Sequence, residues 1–241
     1  MSINYSRHFL KVLVLIGFFT NYSCGDMDSI HEDYLQGEQV YAGKLDTLNI
    51  RPGYYRAQLE GQTQFLGNSN QIIIEYDDQT EVYDINPDNI ENGIYTMILP
   101  NLEEKSYEFN VTTQDELGNL SVSQIVAGSA VGDIFVSDQD PREIDNFTFE
   151  DDGTYANFFG NAQSENVIFT IVDYENESEG ISKDTLFYDD SRINIDQYKP
   201  LGNLQTTSVI QSGLDGIDSI SLVCLNYTMP ELPYSILNKN Y

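Results

Sequence analysis

A chain of 241 residues with 39 acidic against 11 basic side chains carries a formal charge of −28. Such a surface repels DNA, RNA and anionic lipid, so no nucleic-acid partner is expected, and neutral sugars, cations such as Ca²⁺ or basic protein patches are the compatible ones. Two histidines and two cysteines are too few for a zinc site built from several such ligands.

At the N-terminus Arg7, His8 and Lys11 introduce an apolar run from Val12 to Phe19, and no acid appears before Asp26. This is the pattern of a secretory signal peptide. The run is too short for a bilayer core of about 30 Å, which needs roughly 20 apolar residues. Cys24 follows the small residue Ser23, as lipid attachment requires, so residues 1–23 read as a lipoprotein signal peptide and Cys24 as the acylated first residue of the mature chain. Asn21 stands where an aliphatic is usual, and the segment resembles the looser lipoboxes of Bacteroidetes lipoproteins. The acids Asp26 and Asp28 resemble the signal that sends such proteins to the outer face of the outer membrane. The alternative is an ordinary secretory signal with an incidental cysteine. Cleavage removes Arg7 and Lys11 and no acid, shifting the charge by two, from −28 to −30. An acylated Cys24 leaves Cys224 without a partner, so no disulfide is expected. Cys224 ends the run Ser219–Val223, which reads as a strand, and is expected to be a buried structural thiol.

Residues 24–42 are polar, acidic and without period, as suits a tether. From Lys44 the chain alternates β-rich runs with turn residues, the pattern of a β-sandwich. The runs are Lys44–Ile50, Tyr55–Glu60, Gln71–Tyr76, Thr80–Ile85, Ile94–Leu99, Ser106–Thr113 and Ser121–Ala127. In the most regular of them Tyr107, Phe109 and Val111 point one way and Glu108, Asn110 and Thr112 the other. Asp115-Glu116-Leu117-Gly118-Asn119 then supplies turn chemistry for a hairpin. After the acid- and proline-marked boundary Asp138-Gln139-Asp140-Pro141 a second set follows: Ile144–Phe149, Thr154–Phe159, Val167–Tyr174, Asp184–Tyr188, Arg192–Asp196, Leu204–Ile210 and Ser219–Val223. The expected fold is all-β, with one sandwich over residues 43–137 and a second, divergent one over 138–241. Leu99-Pro100-Asn101-Leu102 followed by Tyr107 matches a tyrosine corner, which makes Tyr107 structural.

The segment from Tyr34 to Asp46, with Gly37-Glu38 and Tyr41-Ala42-Gly43-Lys44-Leu45-Asp46, is followed by Arg51-Pro52-Gly53-Tyr54-Tyr55-Arg56. Together they resemble the opening of the Bacteroidetes lipoprotein family known as domain of unknown function 4998. The Asp115–Ser121 hairpin and the segment opening near Arg142 are similar too. The resemblance implies tandem fibronectin type III-like domains and a place among glycan-utilisation lipoproteins at the cell surface, and it implies no reaction. Members of that family carry tryptophan at inward positions of the early strands. This chain has none, and Leu59 with Phe158 or Phe159 is expected to fill those sites.

The chemistry in supply is thin. His8 leaves with the signal peptide and His31 lies in the tether, so no histidine-based triad can form. No phosphate-cradling or dinucleotide-binding glycine motif is present. Carboxylate pairs suited to a glycosidase arise by chance among 39 acids and discriminate nothing. The clusters Asp138-Gln139-Asp140, Glu150-Asp151-Asp152 and Asp189-Asp190 lack the spacing of a calcium loop and read as solvated turns, so neither a metal ligand nor a cofactor is assigned. Tyr54, Tyr55, Phe158 and Phe159 form adjacent pairs of which one member each must face outward on a strand. They are the candidate ligand-stacking aromatics, with core or interface packing as the alternative. The expected function is a non-catalytic surface module that binds a neutral glycan or another outer-membrane protein in an uptake assembly. A structural spacer and a carboxylate-based glycosidase are the competing readings.

Overall fold

The computed structural model describes residues 40–159 and 166–232. The signal peptide, Cys24 and most of the tether lie outside the described residues. Alternation of apolar and polar side chains gives eight strands in the first half: β1 (Asp46–Gly53), β2 (Arg56–Gln62), β3 (Ser69–Tyr76), β4 (Gln79–Asp84), β5 (Ile90–Glu91), β6 (Ile94–Pro100), β7 (Lys105–Asp115) and β8 (Gln124–Ala130). They pair antiparallel in two sheets, ordered β1-β2-β6-β5 and β4-β3-β7-β8. The inward residues of both sheets meet in one core, where Ala57, Leu59, Ile72, Ile74, Leu99, Phe109 and Val111 are fully buried. Leu59 fills its site without a tryptophan.

The β7 alternation holds through the strand, with Tyr107, Phe109, Val111 and Thr113 buried. Tyr107 stacks on Phe109 at 5.3 Å and meets Tyr76 edge-on at 5.7 Å. Its hydroxyl donates to the Glu103 carbonyl at 3.0 Å, a hydrogen bond that ties the loop entering β7 to the strand itself. The turn after β7 is built around one carboxylate. Asp115 accepts from the backbone N–H of Leu117 and of Asn119, each at 2.9 Å, and from the Asn119 amide at 2.9 Å. These donors hold the Asp115 carboxyl below the usual carboxylate range. The strand that follows starts later than the run at Ser121 suggests. The Ser121 hydroxyl accepts the Thr113 N–H at 3.0 Å and its own N–H donates to the Thr113 carbonyl, so a side chain replaces part of the ladder and regular pairing begins at Gln124.

A single-turn helix, α1 (Asp133–Ser137), leads to the second set: β9 (Ile144–Glu150), β10 (Gly153–Phe158), β11 (Val167–Glu175), β12 (Ile181–Phe187), β13 (Arg192–Asn194), β14 (Asn203–Gln211), β15 (Ser219–Ser221) and β16 (Leu225–Thr228). Their sheets run β13-β10-β9 and β12-β11-β14-β15, with β16 also on β14. Apart from the short β5 and the division of the last strand, the two halves share one topology. Ala156, Val172, Leu186, Ile195 and Leu204 are fully buried at the second core.

Arg142 is a fully buried residue just before β9. Its guanidinium donates to the carbonyls of Phe187 at 3.1 Å and Asp190 at 2.5 Å, and its backbone N–H donates to the Ser208 hydroxyl at 2.8 Å. The guanidinium also lies over the Phe158 ring, 5.6 Å from its centre. Burial pushes its pKa down from the ordinary arginine value.

Cys224 corrects the sequence reading, since it is exposed rather than buried and lies outside any strand. The final run breaks after Ser221, because β15 and β16 pair with separate stretches of β14. The break points both Val223 and Cys224 outward, where a continuous strand would have buried one of them. A maleimide should therefore label Cys224 in the native protein about as fast as in urea. Labelling that requires unfolding would contradict this placement.

Candidate functional site

From Ala42 onward the described chain belongs to one compact unit, and the two sandwiches meet at the turn between β1 and β2. That turn is Arg51-Pro52-Gly53-Tyr54-Tyr55-Arg56, and almost every polar group in it is engaged. The Pro52 carbonyl accepts from the Ser212 hydroxyl at 2.9 Å and from the Ile217 N–H at 2.8 Å. Arg51 donates through Nε to the Asp215 carbonyl at 2.9 Å. Asp218 accepts the Tyr54 N–H at 2.7 Å and is gripped by Arg56, whose Nε donates to Oδ2 at 3.0 Å while a terminal nitrogen donates to Oδ1. This forked pairing is the strong geometry for arginine and carboxylate. It holds the Asp218 carboxyl below its usual range and raises Arg56. The partners from the second sandwich all come from the loop between β14 and β15.

Two glycines allow this approach. A Cβ on Gly53 would lie 2.8 Å from both Asp218 and Ile217, and one on Gly132 would lie 2.7 Å from the Tyr55 ring. Helix α1 fills the corner. Glu104 accepts the N–H groups of Ile134 at 2.8 Å and Phe135 at 2.5 Å, and the Asp133 N–H donates to the Tyr55 hydroxyl at 3.2 Å. Phe135 and Val136 pack on Val167, Ile210 and Leu222 of the second sandwich.

Tyr54 and Tyr55 meet edge-on at 4.8 Å, and each is 38% exposed. The Tyr54 hydroxyl donates to the Asp133 carboxylate. That hydrogen bond, helped by partial burial, pushes the phenol up to about 12. Beside this ring lies an open cleft of about 470 Å³ lined by Tyr54, Arg56, Asp218, Ser219, Ile220 and Ser221. Its lining combines one tyrosine, the Arg56–Asp218 pair, two serines and the edge strand β15. Tyr55 does not line it. Phe158 and Phe159 lie elsewhere, at the end of β10, where Phe158 is 5% exposed in the second core and Phe159 is 46% exposed. Cys24 lies outside the described residues. No group of His, Cys, Asp and Glu fit to hold a metal occurs among the described residues. Sequence reasoning noticed the Pro-Gly turn but assigned no role to Arg56 and none to Asp218, which is 162 positions away. No local pattern links the two.

Two antiparallel sandwiches of matching topology in series define a tandem fibronectin type III-like protein. The chain matches the family model of a domain of unknown function, DUF4998, over residues 24–219, and it belongs to that family. Among solved structures, the chicken CNTN1 FN1–FN3 domains are similar with a TM-score of 0.40 and 11% identity, over 79% of this chain and 69% of that one. A two-domain fibronectin type III segment of chicken tenascin gives 0.29 and 14%, over 76% and 99%. No curated protein sequence matches the chain.

Proposed function

We propose that the chain is a non-catalytic module, anchored through lipid on Cys24 at the outer face of the outer membrane, whose joint cleft takes a neutral glycan for an uptake assembly. The observation that carries the proposal is the half-exposed Tyr54 ring beside the Arg56, Ser219 and Ser221 donors in one cleft. An aromatic face stacks on the apolar side of a sugar ring while fixed polar groups bond its hydroxyls, the usual division of labour in small-ligand sites. The charge of the mature body argues against polyanions, since its field reaches about 8 Å at physiological salt. The spacer reading draws on the clamp between the sandwiches, which suits a stiff arm.

A glycan array in the presence of chelator, followed by titration of the best ligand, tests this. Neutral polymers should rank above acidic ones, Tyr54→Ala should weaken binding about tenfold or more, and Tyr54→Phe, which keeps the ring, should retain most of it. Tight binding of an acidic polymer would sink the electrostatic argument, and no binding to any glycan would favour the spacer. In cells, Cys24→Ala should leave the membrane fraction and lose its lipid label; a retained, acylated variant would remove the anchor from the proposal.

A further inference from the structure

The outer face of the sheet formed by β12, β11 and β14 carries phenylalanines. Cross-strand pairing lines up Phe187, Phe169 and Val209 in one row and Thr185, Ile171 and Thr207 in the next. These residues alternate with the core-facing Val172, Tyr174, Leu186 and Leu204, so they point away from the core. Phe187 is 61% exposed and Ile181, on the same face of β12, is exposed; Phe169 and Ile171 are half-buried, and Val209 at the far end of its row is covered at 6%.

The first sandwich provides an internal control, because β4, β3 and β7 occupy the same place in its topology. Its outward rows are Thr80, Glu75, Asn110 and Asp84, Gln71, Gln114, with one apolar pair, Val82 and Ile73, beside Thr112. The polar side chains there satisfy one another: Asn110 donates to Glu75 at 2.7 Å and Gln71 to Asp84 at 3.0 Å. The fold itself therefore does not demand outward phenylalanines. Their presence in the second sandwich needs another cause, and an exposed apolar patch with a polar border is the mark of an interaction surface.

Charge selects the occupant. Asp173 and Glu175 border the apolar rows with Lys183 and Lys199 beside them at 3.4 and 3.5 Å. Asp189 and Asp190, two and three positions beyond Phe187, are exposed. A second copy of a chain at −28 would bring like charge to this border, whereas a surface carrying lysines and arginines would be attracted to it. We infer that this face docks a protein partner whose contact surface is apolar at its centre and basic at its rim. The inference is independent of the cleft and of any glycan.

The test uses the full chain in the cells that make it. A photoreactive benzoylphenyl side chain is introduced in place of Phe187 and, as the control, in place of Val82 on the matching face of the first sandwich. The protein crosslinked at position 187 is identified, purified and titrated against the purified full chain. Expected are an adduct specific to position 187, an affinity that falls about tenfold or more in Phe187→Ser, and a further fall as salt rises from about 0.05 to about 0.5 M. The circular dichroism spectrum and unfolding midpoint of Phe187→Ser should match those of the unaltered chain; should they not, Ile181→Ser is read in its place. No adduct, an adduct with a second copy, or an affinity indifferent to the substitution or to salt would overturn the inference.

Discussion

Arg142→Ala is expected to destabilise the second sandwich by about 2–5 kcal/mol. The guanidinium sits at the base of β9 and holds the carbonyls of Phe187, at the end of β12, and of Asp190, in the turn that follows it. Alanine removes both donors, leaves the Asp190 carbonyl to find another partner while that of Phe187 keeps the Asp190 N–H at 3.1 Å, and opens a void beside Phe158. Arg142→Lys should recover only part of the loss, because an ammonium cannot reproduce a planar fork with two separated acceptors. Urea unfolding followed by circular dichroism gives the answer. A loss below about 1 kcal/mol for alanine would mean that the buried charge costs as much as its hydrogen bonds contribute.

Asp218→Ala is expected to uncouple the two sandwiches. The carboxylate is 15% exposed while the Arg56 side chain is 45% exposed, so solvent weakens the pair. With the lost Tyr54 N–H bond included, the cost should be about 2 kcal/mol. The more telling result is the shape of the transition. The unaltered protein should unfold with both cores coupled, and the variant should show two separable transitions. Acid should have the same effect in the unaltered chain. Arg56 depresses the Asp218 carboxyl, so its contribution is fully present above the ordinary carboxylate value of about 3.9 and is lost as pH falls through the lower folded value. The Asp115 turn follows the same sign, since its carboxyl is also depressed. Calorimetry between about pH 2 and pH 7 should show the Asp218 share of this acid sensitivity missing from Asp218→Ala; identical pH profiles would refute the assignment.

Much of the fold is a local matter and was readable. Each of the fourteen β-rich runs corresponds to strand structure, because period-2 alternation and turn residues act within a few positions. The Asp115 turn is a case in point, since the carboxylate, its N–H donors and the glycine lie within five consecutive residues. Two strands escaped notice, β5 and β16, with two and four residues each. They are too short for a period, and their pairing with β6 and β14 makes them strands. The late start of β8 depends on the bond between Ser121 and Thr113, a contact across the hairpin.

Sequence alone determined the all-β class, the acidic surface and the alternation that buries Phe109 and Val111, because each follows from residue type and near-neighbour spacing. Tertiary structure decided what those strands hold between them. It turned the Pro52-Gly53 turn into a clamp by bringing Asp218 to Arg56, opened a cleft beside Tyr54, buried Arg142, exposed Cys224 and left Phe187 facing outward. Each of these outcomes rests on groups far apart in the chain, or on which strand edge finds a partner. The two sandwiches settle such matters only when they pack, since hydrogen bonds and burial reward proximity in space regardless of distance along the backbone.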